Sequence, residues 1–260
     1  MNLLVDSHCH LDFTEFDTDR NQVIARAAKA NVTAFIVPGI NRANWQRQLR
    51  LAQAMSGALL AFGIHPYFLD DFCWQDLGKL ESMLSHDKCI GLGECGIDGV
   101  VADIDLQSQV FVAQIELANR YSLPLIVHHR RSHHLIQAAF KQVKPEYGGI
   151  IHAFSGSMQD AKKYLDLGFK LGCGGVITYD RAEKTRLVFK SLGLAHLVLE
   201  TDSPSMPLDG YQGQRNEPAR IAQVVASLRE LTGCDREEIA DVTTANVKAI
   251  FSLTNELDLG

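Results

Sequence analysis

The sequence predicts one closed (β/α)8 barrel spanning residues 1–260. Three observations carry this expectation. Short apolar runs alternate with longer amphipathic segments from end to end, and strands that alternate with helices imply a parallel sheet with crossover connections. The length suits a single α/β barrel. An open doubly wound sheet, the runner-up, usually carries a Gly-rich turn after its first strand. Here that strand is followed by SHCHLDF, which has no glycine.

Leu3–Ser7 reads as the first strand, and the amphipathic stretch Asp19–Ala30 as the first helix. Ala34–Pro38 and Leu59–Gly63 follow as strands, with the helical stretch Arg42–Met55 between them. Cys89–Gly93 is the fourth strand, and Asp105–Tyr121 leads from it to the fifth, Pro124–Val127. Ser132–Val143 then leads to the strand Gly149–Ile151, and Gln159–Leu167 to Lys170–Cys173. His196–Glu200 completes eight. From Glu217 to Phe251 the chain reads as two more helices. Pro218 lies near the start of the first, where its missing N–H costs nothing.

Hydrophobic residues make up 46% and charged residues 22%, enough for a sizeable core and against disorder. The formal net charge of -6 argues against coating long stretches of duplex, which calls for a basic face. A local basic pocket for one phosphate is still allowed, because steering follows the local field. The six cysteines are scattered and form no CxxC pair, so free thiols in a reducing cytoplasm are expected. The segment MNLLVDSHCHLDF lacks the basic and apolar regions of a signal peptide. No run approaches the ~18 apolar residues that span a membrane. No membrane association and no obligate protein partner are expected.

The positions of histidines and acids carry the chemistry. His8 and His10 stand two apart at the end of the first strand, on one face. Glu94 ends the fourth strand, His128 the fifth and His152 the sixth, and Asp202 follows the eighth. His65 follows the third. In a barrel all strand C-terminal ends open onto one mouth, where active sites of this fold sit. Four histidines and two carboxylates suit Zn²⁺, Mn²⁺, Co²⁺ or Mg²⁺. Six ligands exceed the three that one catalytic zinc takes from a protein. Two ions roughly 3.5–4 Å apart, sharing a carboxylate and a water, would use all six. Asp6 reads equally as an orienting group behind His8 or as a core hydrogen-bonding residue, and His129 as structural.

At these residues the sequence resembles the TatD family of metal-dependent deoxyribonucleases, among the amidohydrolase-like barrels, and within it the YjjV-like hydrolases. The matching segments are DSHCHLDF (6–13), GIHP (63–66), GLGECGID (91–98), LPLIVHHRR (123–131), IHAFSGS (151–157), LGCGGVITY (171–179), ETDSPSMPLDGYQGQRNEP (200–218) and the Ala245-Asn246 region. The resemblance implies that His8 and His10 bind one ion, that Glu94 bridges both, and that His128 and His152 bind the second. It implies that Asp202 binds the first ion and acts as base, and that His65 and Arg130 touch substrate. The chain departs from many relatives in reading HHR at 128–130, HAFSG at 152–156, and His134 where an acid is common. These departures bear on substrate choice, since all six ligand positions match.

The expected reaction is hydrolysis of a phosphodiester at a nucleic-acid end or in a small molecule. A carboxylic ester, lactone or amide would use the same site. A non-catalytic metal- or nucleic-acid-binding protein is opposed by the acidic balance and by a base at Asp202. A nicotinamide-dependent oxidoreductase is opposed by the absent GxGxxG.

Overall fold

The computed structural model describes residues 3–253; the expected domain limits, 1 and 260, lie outside them. Eight parallel strands form one sheet in sequential order. They are β1 (Leu4–Asp6), β2 (Val32–Pro38), β3 (Ala58–Phe62), β4 (Cys89–Asp98), β5 (Leu125–Arg130), β6 (Gly149–Ile151), β7 (Phe169–Cys173) and β8 (Leu197–Leu199). The ring closes between its last and first strands: Ser7 N–H donates to Leu199 O at 2.9 Å and Asp202 N–H to His8 O at 2.9 Å. A parallel bridge between Cys9 and Ser203 extends the closure. This is the barrel that the sequence predicts.

The helices α1 (Arg20–Lys29), α2 (Arg42–Ala54), α3 (Gln75–Leu84), α4 (Ile104–Tyr121), α5 (His133–Gln142), α6 (Met158–Leu165) and α7 (Glu183–Leu192) fill the crossovers. The tail forms α8 (Ile221–Thr232) and α9 (Arg236–Ile250). Each crossover helix lays an apolar face on the outside of the ring, as Val23 and Ala27 do on α1 and Ile136, Ala139 and Phe140 on α5.

A second, smaller core fills the interior of the ring. Val5, Ala34, Ile36, Leu59, Ala61, Ile126, Ile150 and Val198 meet there, joined by Val247 of α9 and by Phe251 just beyond it. Side chains alternate along a strand, so the next inward positions above Ile126, Ile150 and Val198 are His128, His152 and Glu200. The packed floor therefore positions the polar layer above it.

Two strand ends differ from the expectation. β4 runs through Glu94 to Asp98 instead of ending at Gly93, and β5 runs past His128 to Arg130. The reason is a close approach of the two strands that glycine permits. Gly93 (φ 153°) and Gly96 (φ 141°) adopt backbone that a Cβ disfavours. A methyl group at Gly93 would stand 2.6 Å from Ile126 O, and one at Gly96 would collide with His128 O. The register shifts between Leu92 and Cys95, and this irregularity presents Glu94 to the barrel axis.

Candidate metal centre

The mouth gathers every residue that the sequence singles out as a ligand. Glu94 stands at its centre, 3% exposed, and its two oxygens face different histidines. Oε2 lies 3.1 Å from His8 Nε2 and 3.4 Å from His10 Nε2. Oε1 lies 3.1 Å from His128 Nδ1 and 3.2 Å from His65 Nε2. Asp202 Oδ1 stands 3.6 Å from both His8 Nε2 and His10 Nε2, and 3.7 Å from His152 Nε2. The His152 ring stacks on His8 with centroids 3.5 Å apart.

This donor set fits a divalent ion. Tetrahedral zinc with bonds of about 2.0–2.2 Å has ligand–ligand edges of about 3.3–3.6 Å. The His8, His10, Glu94 and Asp202 atoms lie 3.1–3.6 Å apart. His8, His10 and Glu94 form one buried group that could hold a metal, and His65, Glu94 and His128 form another. The buried Nδ1 atoms of His8 and His10 have no hydrogen-bond partner. The opposite nitrogens, Nε2, face Glu94 and Asp202 and are the ones that could meet an ion.

The electrostatics follow from burial against charge. Burial alone would raise the Glu94 carboxyl, but His65 and His8 outweigh it and hold Glu94 well below the usual range. Asp202 is likewise lowered against its burial, chiefly by His152. Burial pulls His10 down, yet its bonds to Asp202 and Glu94 bring it up to about 10. His152 reaches about 9, with Glu200 and Asp202 overcoming burial. His8 is lowered by burial and by His152. The cluster therefore holds protons where ions would displace them.

His65 is different. Burial lowers it to about 4, so the ring is neutral. Its Nδ1 accepts the Tyr67 N–H at 3.1 Å, which leaves the proton on Nε2. That proton faces Glu94 Oε1 at 3.2 Å, so His65 is a neutral ring set against the central carboxylate. Arg130 is exposed at the rim, and its Nη1 donates to the Tyr67 hydroxyl at 2.7 Å. The cavity above the cluster has a volume of about 630 Å³, with Phe13, Tyr67, Arg130, Arg131, Ser155 and Met206 in its walls.

Asp6 proves to be a core hydrogen-bonding residue. It accepts from Thr201 N at 3.0 Å, from Thr201 Oγ1 at 2.6 Å and from His8 N at 3.3 Å, tying the first strand to the chain after the last. Its burial raises the carboxyl to about 8. His129 packs on His133 with centroids 4.4 Å apart, as a structural residue should. His133 bonds to Tyr164 Oη and to Ser155 O.

Residues 5–252 match the family model of TatD-related DNases. The chain belongs to this family. The metal-dependent hydrolase YjjV of Escherichia coli K12 is 40% identical over 96% of this chain and 98% of its own length. The crystal structure of that protein superposes with a TM-score of 0.92 over 96% of this chain and 98% of its own. The 3'-5' ssDNA/RNA exonuclease TatD of Erwinia tasmaniensis is 29% identical over 96% of this chain and all of its own length, 100%. The chain is thus a metal-dependent hydrolase of the TatD family. Among the described residues no helix is long and apolar enough to cross a membrane.

Two residues of the site, Asp98 and Glu200, escape the sequence reading. Asp98 Oδ2 lies 2.9 Å from His128 Nε2, on the ring edge opposite Glu94. Glu200 Oε1 lies 3.2 Å from His152 Nδ1, opposite Asp202. For both a signal exists: Asp98 shares the parity of Glu94, and Glu200 that of Asp202, the same period-2 rule that joins His8 to His10.

Proposed function

We propose that the chain hydrolyses a phosphodiester at the end of a nucleic acid with two divalent ions held by His8, His10, Glu94, His128, His152 and Asp202. The observation that carries this reading is Glu94, whose Oε2 faces His8 and His10 at 3.1 and 3.4 Å while its Oε1 faces His128 at 3.1 Å. A carboxylate so placed can serve two ions at once. Bound there, the ions would supply Lewis acidity, making a water more acidic and offsetting charge on the phosphoryl group.

The chain's own groups do the rest. Asp202 is the carboxylate of the cluster that most meets the cavity, with 16% of its side chain exposed against 4% for Glu94. It takes the proton of the attacking water and returns it to the leaving oxygen. His65, a neutral ring in the cavity wall beside Glu94, contacts the substrate phosphate. Arg130 meets the adjoining phosphate at the rim. A cavity of about 630 Å³ suits one terminal nucleotide and not a duplex interior. The nuclease activity named for the Erwinia tasmaniensis relative supports the substrate class.

The test is an assay of metal-loaded protein on linear single-stranded DNA, closed circular DNA and a panel of neutral esters and lactones. Linear DNA is cut, cleavage depends weakly on salt because few phosphates are held, and the circle survives. Arg130→Ala raises KM for DNA roughly tenfold and leaves a neutral ester unaffected, because only the phosphodiester gives the guanidinium an anion. Efficient cutting of the circle overturns end-directed action. Equal effects of Arg130→Ala on both substrates overturn the phosphate contact and favour a carbonyl substrate.

A further inference from the structure

Glu200 is a buried carboxylate, 1% exposed, that the proposed reaction leaves unused. It stands just past the end of β8, one inward position above Val198, in the same layer as His128 and His152. The fold makes room for it. A methyl group at Gly172, in β7, would collide with the Glu200 carboxylate, and one at Gly174 would stand 3.4 Å from its Cγ. At Gly172 the barrel interior, otherwise filled by aliphatic side chains, has therefore given up a side chain to seat one acid. Burial of an unpaired carboxylate costs several kcal/mol or more, so its partners define its role.

Those partners are His152 and the residue after it. Oε1 accepts the Ala153 N–H at 2.6 Å and lies 3.2 Å from His152 Nδ1. Ala153 holds φ 45°, a left-handed conformation that its Cβ disfavours. One oxygen thus grips the backbone that follows His152 and stands 3.2 Å from the ring's Nδ1, which makes no aligned hydrogen bond of its own. The opposite nitrogen, Nε2, lies 3.7 Å from Asp202 Oδ1. The two nitrogens of an imidazole point away from each other, so Glu200 and Asp202 address opposite edges of one ring.

His8, His152 and Glu200 also form a group close enough to hold an ion of their own. The ring geometry opposes that use. His8 and His152 stack at 3.5 Å with planes 19° apart. Lone pairs of nearly parallel, stacked rings run side by side and do not converge on one ion.

We propose that Glu200 is a positioning residue, whose carboxylate accepts the His152 Nδ1 proton and fixes the ring with Nε2 toward the metal centre. This rests on the assignment of His152 as a ligand. Carboxylates that hold a ligand's far nitrogen orient the ring and raise its basicity, and their loss costs about 10- to 100-fold in metal affinity.

The experiment uses the full chain loaded with zinc and labelled with ¹⁵N-histidine. A downfield, exchange-protected Nδ1–H correlation is expected in the wild type, assigned to His152 by its absence in His152→Gln. In Glu200→Gln, whose amide oxygen still accepts, the signal persists at a less downfield position and zinc affinity falls roughly tenfold. In Glu200→Leu, which fills the space, the signal is lost and affinity falls roughly 100-fold, with the zinc stoichiometry at saturation unchanged. An unchanged His152 signal and affinity in Glu200→Leu overturns the positioning role. So does a full equivalent of zinc missing from Glu200→Gln, which makes Glu200 a ligand. A wild-type chain that takes up no zinc overturns the functional reading itself, a failure distinct from either.

Discussion

The barrel mouth and the flank of α1 each gather carboxylates and basic groups at hydrogen-bond distance, but the balance differs. On the flank, Arg215 grips both oxygens of Asp19 at 2.7 and 2.8 Å. Arg26 grips Glu217 at 2.6 and 3.0 Å, and Arg20 and Arg47 share Asp17 at 2.6 and 2.5 Å. Every one of those acids has a permanent cation, the groups are exposed or half-buried, and α1 is tied to the segment before α8. In the mouth the acids are buried among imidazoles, whose charge depends on pH, while the Nδ1 atoms of His8 and His10 have no partner. Matched guanidinium pairs hold structure. Buried imidazoles whose Nε2 atoms face two carboxylates make a donor set that could hold ions.

The largest effect that follows lies in the mouth. Asp202 has φ 56°, a conformation that Asn tolerates nearly as well as Asp, so Asp202→Asn keeps the backbone and a metal-facing oxygen. It removes the proton acceptor. Turnover measured at saturating metal should fall by about 10²–10⁴, with metal largely retained. Near-normal turnover would remove Asp202 from that role and leave the mouth no different from any other ion-pair cluster.

The smallest effect lies on the flank. Asp19 is held below the usual carboxylate range, first by its hydrogen bonds from Arg215. A carboxyl lowered on folding contributes stability above its unfolded value, near 3.8, and loses it as pH falls through the lower folded value. Asp19→Asn should therefore lower Tm slightly at pH 7, lower it less in acid below that range, and lower it less in 1 M salt, where screening shortens to about 3 Å. Turnover should not change. A drop in kcat with Tm intact would give the flank a part in function that its matched pairs do not suggest.

Much of this was legible in the residues. Eight apolar runs predict the ring because parallel strands, buried on both faces, read as continuous aliphatic segments. His128 and His152 are legible as candidate ligands because each lies at a strand end that opens onto the barrel mouth. The extent of β4 is not, since only the fit of Gly93 and Gly96 against β5 reveals that the strand continues through Glu94. Asp98 lay hidden for the same reason. Asp6 remained open between two roles because its partner, Thr201, is distant in sequence and adjacent only once the ring closes. The family resemblance implies that His65 touches substrate, but its neutral, Nε2-protonated state follows from the Tyr67 N–H and from burial.

The central claim is that Glu94 serves two ions, and metal content measures it. Wild-type chain and Glu94→Ala, saturated with zinc or manganese and freed of excess ion, should be compared by elemental analysis beside single alanine variants of His8, His10, His128, His152 and Asp202. The wild type should carry two equivalents per chain, and Glu94→Ala should lose more metal than any other single variant, because both groups of imidazoles lose their common carboxylate. Two full equivalents retained in Glu94→Ala would contradict the bridging role.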